Sequence, residues 1–177
     1  MDTKPDRQWF ALRVKSRCEK AVAAAARSKG FEEFLPLYKC RHRWSDRSKL
    51  IDEPLFPGYV FCRLHAEDRF SLLTIPGAVH FVGIGNVPAP LEDDEISAIR
   101  DVLQAEAVVK PWPFLERGQR VRLRSGPVVG LEGFLVQADH EQRVVVGLTA
   151  LEQSVAVEIQ GDWIEPEAHC ASGFLKV

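Results

Sequence analysis

Short runs of alternating apolar and polar residues fill the last third of the chain, and they constrain its fold more than any other feature. Four runs (QRVRLR, GFLVQAD, RVVVGL and VAVEIQ) are separated by turn-forming residues at 125–127, 139–141 and 161–162. A period of two is typical of β-strands that bury one face. We therefore predict a small all-β barrel of four or five strands. Its thin core is predicted to contain Val121, Leu123, Leu135, Val145, Val157 and Trp163.

The first 106 residues predict a different architecture, in which helices alternate with strands. Strands are predicted at 9–14, 31–44, 59–64 and 79–84, with a polar turn at 45–49. Helices are predicted after a capping box at 16–19, at 65–75, and from Leu91 onward. The buried stripe of the last helix is predicted to be Ile96, Ile99 and Leu103. This order predicts an α+β fold in which helices pack on an antiparallel sheet.

The boundary between the two patterns is marked by proline. Two prolines bracket Trp112 in the segment 107–114, a composition typical of a short, semi-extended linker. The predicted organisation is therefore a first domain at 7–106, a linker at 107–114, a second domain at 115–166 and a C-terminal tail at 167–177.

The composition favours a binding protein without a catalytic centre. With 46% apolar and 27% charged residues the chain is typical of a globular protein. It contains no apolar run near the roughly 20 residues of a membrane span, and its polar N-terminus lacks the pattern of a signal peptide, so a cytoplasmic location is expected. The four cysteines are far apart and are predicted to be free, and the five histidines are scattered. We identify no catalytic, phosphate-binding or metal-binding motif, so we expect neither an enzyme nor a cofactor.

Charge is distributed unevenly along the chain. Residues 1–50 contain 13 Lys and Arg against 6 Asp and Glu, whereas residues 51–177 contain 10 against 19, which gives the overall charge of −2. The most basic stretch is KCRHRWSDRSK at 39–49, where His42 and Trp44 are interleaved with cations. Phosphates attract such charges, and tryptophan can stack on an unpaired base. A solvated strand end is the alternative interpretation of this segment.

Four short motifs follow one another along this sequence. They are Trp9-Phe10, Phe56-Pro57-Gly58-Tyr59-Val60, Pro76-Gly77-x-x-x-Phe81-Val82-Gly83, and Gly118-x-x-Val121-x-x-x-x-Gly126-Pro127-x-x-Gly130-x-x-Gly133. The chain therefore resembles the NusG family of transcription elongation factors over nearly its whole length. The resemblance implies an N-terminal NGN domain that binds RNA polymerase and a C-terminal KOW domain, an SH3-like barrel. A monomer with no membrane partner is expected.

The resemblance also implies residues for two surfaces of the NGN domain. The aromatic surface around FPGY binds the clamp helices of the largest RNA polymerase subunit in this family, which implies that role for Phe10, Leu55, Phe56, Pro57, Tyr59 and Phe81. Burial of these side chains in the sheet core is the alternative. The basic side of the domain faces upstream or non-template DNA, which implies that role for Lys15, Arg17, Arg41, Arg43, Arg47 and Lys49.

One loop of the predicted KOW domain departs from the family pattern. General family members have a Phe-Gly-Arg run there, which contacts a small-subunit ribosomal protein or the termination factor Rho, but this chain has GLTALEQS at 147–154. Leu148 and Leu151 are the candidate partner-binding residues, and capping of the barrel core is the alternative. Val79-His80-Phe81 resembles the operon-specific antiterminator RfaH. We therefore predict suppression of pausing and termination at particular operons, with a general factor or a ribosome-associated KOW protein as alternatives.

Overall fold

The structure is a computed structural model that describes residues 7–43, 48–105, 107–113, 119–138, 141–159 and 163–166. The helices of the first half are α1 (Glu19–Ser28), α2 (Arg69–Leu73) and α3 (Asp93–Gln104). Its strands are β1 (Gln8–Val14), β2 (Glu32–Phe34), β3 (Leu37–Arg43), β4 (Ser48–Pro54), β5 (Tyr59–Leu64), β6 (Ala78–Phe81), β7 (Gly83–Ile84), β8 (Val87–Pro88) and β9 (Pro90–Leu91). The second half contains β10 (Val109–Pro113), β11 (Gln119–Leu123), β12 (Glu132–Ala138), β13 (Glu141–Leu148), β14 (Gln153–Ile159) and β15 (Ile164–Pro166).

An antiparallel sheet of order β2-β5-β1-β6, with β9 also paired to β1, forms the centre of the first half. Because neighbouring residues of a strand point to opposite faces, β1 divides two apolar cores. Phe10, Leu12 and Val14 belong to a core that includes residues of α1 and α2. Trp9 and Ala11 belong to the other core, which includes residues of α3. The first half is therefore an α+β fold with antiparallel strands, as predicted.

Proline interrupts the strand that was predicted over 31–44. The segment forms two strands, β2 and β3, separated at Leu35-Pro36, because proline has no N–H to donate to a ladder. The carbonyl of Pro36 instead accepts a hydrogen bond from the amide of Leu55 at 2.8 Å. Beyond this break β3 pairs with β4 as a separate two-stranded hairpin. Residues 48 and 49, predicted to be part of a turn, belong to β4.

The predicted capping box at 16–19 is not present. Cys18 is the N-cap of α1 and makes no side-chain capping bond, and Arg17 has a positive φ of 67°. A capping interaction of this kind occurs at α3, where the Glu95 carboxylate accepts a hydrogen bond from the Glu92 amide at 3.4 Å. In α3 itself Ile96, Ile99 and Val102 are buried, whereas Leu103 is only partly buried.

The second half is a six-stranded antiparallel sheet of order β10-β14-β13-β12-β11-β15. Its end strands β10 and β15 are not paired with each other in the described residues, so a closed barrel is not confirmed. Of the predicted core, Val121, Leu123, Val145 and Val157 are buried, whereas Leu135 and Trp163 are half-buried.

The segment predicted as a linker contains β10. Val109–Pro113 pairs with β14, with Val109 opposite Val157. Proline is tolerated here because β10 is an edge strand of the sheet. The segment therefore extends the second sheet.

The two halves contact each other through α3 and β13, and through β9 and the 3-10 turn Thr149–Leu151. Val144 and Val145 point to opposite faces of β13 and yet both are fully buried. Such two-sided burial requires a covering layer on each face, and α3 packs against this strand. No helix in the described part of the chain is long and apolar enough to cross a membrane.

Candidate functional site

The backbone of the loop between β4 and β5 is held in one conformation by hydrogen bonds to main-chain and side-chain groups. Gly58 has a φ of 82°, a region that glycine enters without steric cost. Its N–H donates to Glu19 Oε1 at 2.9 Å, and its carbonyl accepts from the Val14 amide at 2.9 Å. The Tyr59 amide donates to the carbonyl of Phe56 at 3.2 Å. The loop that bears Pro57 therefore has its backbone fixed by β1 and α1.

Arg13 lies over this loop and explains a second constraint on Gly58. The strand register places Arg13 directly opposite Tyr59, and its guanidinium carbon lies 4.8 Å from the centroid of the tyrosine ring. A Cβ atom at position 58 would lie 2.8 Å from Arg13 Nη1. Glycine is thus favoured both by its φ and by the close approach of the arginine.

The residues of the FPGY motif differ in their exposure. Leu55 and Phe56 are each only 1% exposed, and the Phe56 ring packs edge-on against Phe61 with centroids 5.6 Å apart. Pro57 is exposed and Tyr59 is half-buried. Pro57 and Tyr59 are therefore the accessible residues of the motif, whereas Leu55 and Phe56 are buried in the apolar core.

Phe10 and Phe81, also predicted for the docking surface, lie on the opposite side of the sheet. Phe81 pairs with Leu12, whose side chain points away from Ala11 and Phe61. The rings of Phe10 and Phe81 pack edge-to-face, 6.3 Å apart, within the buried core that includes α1 and α2 residues. The structure therefore does not bring these two phenylalanines together with Tyr59, and both are core residues.

The predicted DNA-binding residues lie at two places in the first half. Lys15 and Arg17 are exposed in the connection between β1 and α1. Arg41 and Lys49 are exposed on the β3–β4 hairpin, but on opposite faces, because Arg41 pairs with Leu50 whereas Lys49 pairs with His42. Arg47 and the side chain of Arg43 lie outside the described residues.

The base of this hairpin is attached to the rest of the first half. Lys20 of α1 donates a hydrogen bond to the carbonyl of Asp52 at 3.1 Å. The Tyr38 hydroxyl lies 3.3 Å from Glu53, and burial, followed by the influence of Cys40 and Glu53, raises the pKa of Tyr38 to about 12. The hydroxyl therefore remains protonated at neutral pH, so it can donate this hydrogen bond.

Leu148 and Leu151, the candidate residues of the second half, are buried. Leu148 ends β13 opposite Gln153, and Leu151 lies in the 3-10 turn that contacts β9. Glu152, with a φ of 50°, follows this turn. Both leucines belong to the same apolar cluster as Leu91 of β9. The partner-binding role predicted for Leu148 and Leu151 requires exposed side chains, whereas the structure shows both side chains buried.

An exposed apolar pair was missed in the sequence. Ile84 and Val87 face each other at the tip of the β7–β8 hairpin, and Ile84 is 89% exposed. The signal was the Gly85-Asn86 pair between two apolar residues, a composition typical of a two-residue hairpin loop.

Among the described residues no group of three or more His, Cys, Asp and Glu could hold a metal ion.

The chain is similar to known proteins along most of its length. The family model described as "Transcription termination factor nusG" matches residues 7–100. "Transcription termination/antitermination protein NusG" of Borreliella burgdorferi is 22% identical over 90% of this chain and 98% of its own, and the Escherichia coli K12 protein of the same name is 26% identical over 93% and 99%. A solved structure titled "Domain interaction in Thermotoga maritima NusG" covers 91% of this chain and 97% of its own, with 21% identity and a TM-score of 0.57, and so supports the fold. Because the family model matches more than half of the chain, this chain belongs to the NusG family of transcription factors.

Proposed function

We propose that this protein binds the clamp helices of the largest RNA polymerase subunit and suppresses pausing and termination during elongation. The observation that carries the proposal is the fixed loop at Gly58, which presents Pro57 and Tyr59 above a buried Phe56. A rigid apolar surface loses little conformational entropy when it receives a partner helix. Because the chain belongs to the NusG family of transcription factors, we propose RNA polymerase as the partner.

The basic hairpin is proposed to contact upstream or non-template DNA of the elongation complex. Arg41 and Lys49 are exposed on its two faces, and Lys15 and Arg17 add positive charge after β1. Charges arranged along a narrow hairpin can approach phosphates from either side. This contact would add a salt-dependent term to binding, because phosphate neutralisation releases counterions.

The two halves are proposed to be an NGN domain at 7–106 and a KOW barrel whose sheet includes β10. The GLTALEQS segment at 147–154 lacks the Phe-Gly-Arg run of general family members, and its leucines are buried. We therefore propose a specialised factor for particular operons, acting in the cytoplasm, and not one coupled to a ribosomal protein or to Rho through this loop.

A binding experiment tests the proposed partner. Purified protein is mixed with core RNA polymerase, with the isolated clamp helices, or with ribosomal subunits, and affinity is measured at low and high salt. We expect binding to polymerase and to the clamp helices, with ribosome binding lost at high salt. Salt-resistant binding to ribosomal subunits without polymerase binding would instead favour a ribosome-associated protein.

A further inference from the structure

Glu19 is a charged residue placed where a charge is costly. It is the first residue of α1, where acidic side chains are favourable while remaining in solvent. Here the residue is only 6% exposed. Burying a carboxylate requires compensating hydrogen bonds, and Oε1 accepts one from the Gly58 amide, 39 positions along the chain. Helix capping therefore does not account for this carboxylate, whereas its bond to the loop does.

Gly58 is held from several directions at once. Glu19 accepts its N–H, Val14 donates to its carbonyl, and the Arg13 guanidinium lies close enough that a Cβ atom at this position would displace it. The Val14 bond comes from the main chain and is present whatever the side chain. The Glu19 bond depends on one side-chain oxygen. It is therefore the bond that a substitution can remove without changing the strand.

The fixed glycine is directly connected to the accessible part of the motif. Pro57 precedes Gly58 and is exposed, and Tyr59 follows it and lies under Arg13. If the Gly58 amide lost its acceptor, a buried donor would be left without a partner, and the loop would adopt other conformations to satisfy it. Such a change would move Pro57 and the start of β5 together.

From this geometry we infer that Glu19 is a positioning residue for polymerase docking, an inference that rests on the proposed function. Its carboxylate is buried beneath the loop and acts through Gly58, and not by direct contact with the polymerase. It keeps Pro57, Gly58 and Tyr59 in the single conformation that a partner helix receives. When the competent conformation is populated only in part, apparent affinity falls by that fraction. Loss of the Glu19 bond should therefore weaken docking beyond any effect on global stability.

Three variants of the full-length protein separate positioning from stability. Glu19→Ala removes the acceptor. Glu19→Gln keeps an oxygen that can accept the same hydrogen bond but removes the charge. Val22→Ala is the matched control, because Val22 is a fully buried residue of the same helix that makes no bond to the loop. Glu19→Asp, whose shorter side chain withdraws the oxygen, replaces Glu19→Ala if that variant does not fold.

The first measurement is exchange of the Gly58 amide proton, followed by NMR without any partner. We expect protection in the wild type, Glu19→Gln and Val22→Ala, and faster exchange in Glu19→Ala, by about tenfold or more. Equal protection in all four proteins would overturn the inference, whatever the polymerase experiment shows. This measurement is independent of the proposed function.

The second measurement is the Kd for core RNA polymerase alongside the melting temperature. We expect Glu19→Ala to bind about tenfold more weakly, which corresponds to about 1.4 kcal/mol, and Glu19→Gln to bind within about twofold of the wild type. Val22→Ala should melt at a lower temperature and bind normally. Normal binding by Glu19→Ala, or equal weakening by Val22→Ala, would overturn the inference. A wild type that does not bind polymerase would refute the proposed function instead.

Discussion

Arg13 and Tyr59 face each other across β1 and β5, and the guanidinium carbon lies 4.8 Å from the centre of the tyrosine ring. The pair places a cation and an aromatic ring beside the exposed Pro57. Cation–π contacts of this kind contribute about 0.5–1 kcal/mol at exposed sites. The Arg13 guanidinium thus contacts one face of the tyrosine ring. The loop before Tyr59 is fixed by the hydrogen bond from the Gly58 amide to Glu19.

Tyr59→Ala should weaken polymerase binding and should cost less stability than truncation of the fully buried Phe56, because Tyr59 is only half-buried. Aromatic anchors at interfaces commonly contribute about 2 kcal/mol, which corresponds to roughly 30-fold in Kd. Tyr59→Phe keeps the ring under Arg13 and should bind almost normally. Phe56→Ala is not a matched test, because Phe56 is buried against Phe61 and its loss should cost about 3–5 kcal/mol of unfolding free energy. Calorimetric titration with clamp helices distinguishes these outcomes, and normal binding by Tyr59→Ala would exclude Tyr59 as a docking residue.

Phe81→Leu should affect stability and not docking. Phe81 packs edge-to-face against Phe10 in the core on the side of the sheet away from Tyr59. We expect the free energy of unfolding to fall by about 1 kcal/mol, as is common for such a volume change in a core. The Kd for the clamp helices should be unchanged once the folded fraction is taken into account. A docking defect without a change in denaturation midpoint would place Phe81 at the interface after all.

Charge reversal on the hairpin should reduce the salt dependence of binding to the elongation complex. In Arg41→Glu and Lys49→Glu one face of the hairpin is changed at a time, because these residues lie on opposite sides. For each lost phosphate contact, the slope of log affinity against log salt for the elongation complex should become shallower by about 0.9. Binding to isolated clamp helices should stay the same. If only one of the two variants changes the slope, that face alone approaches the nucleic acid.

Leu151→Ala should lower the melting temperature. Leu151 is 8% exposed in the turn that contacts β9, and truncation of buried leucine typically costs about 2–5 kcal/mol. Val129→Ala is the control, because Val129 is exposed in the same half of the chain. An unchanged melting temperature together with loss of a binding partner would support the alternative that Leu151 is a partner-binding residue.

Sequence periodicity predicted the bounds of strands well where a local run of apolar residues marks the strand. The bounds of β5 agree with the predicted strand at 59–64 because an apolar run is bounded by Gly58 and His65. The opposite faces of Trp9 and Phe10 were also predictable, since adjacent strand residues cannot share a face. Burial of Phe81 in the sheet core was the alternative interpretation, and the choice between core and docking surface required its pairing with Leu12, which no local pattern contains.

Long-range contacts account for the largest differences between prediction and structure. Glu19 was predicted to cap its own helix, but its partner is Gly58, far away along the chain. Leu151 was predicted to bind a partner, with core capping as the alternative, and its burial results from the turn Thr149–Leu151 and its contact with β9. Pro111 and Pro113 suggested a linker, although proline is equally compatible with an edge strand.

The buried thiol of Cys62 should make stability depend on alkaline pH. Burial, followed by the nearby Glu33 carboxylate, raises the pKa of Cys62 from 9.0 to about 12. Above pH 9 the unfolded chain loses this proton while the native chain keeps it, so stability falls as pH rises. Between pH 8 and pH 10 the wild type should lose about 1.4 kcal/mol more than Cys62→Ala, since other groups titrate in both. Parallel urea-denaturation curves at the two pH values measure this difference, and equal losses would show that the thiol ionises freely.

In-vitro transcription with purified RNA polymerase tests the proposed function most directly. Templates containing a pause site and a terminator are transcribed without protein, with the wild type, and with Tyr59→Ala. We predict shorter pauses and more read-through with the wild type, and little effect with Tyr59→Ala at the same concentration. Unchanged pausing and termination with saturating wild-type protein would contradict the proposed elongation activity, and equal activity of the variant would contradict docking through the loop at Gly58.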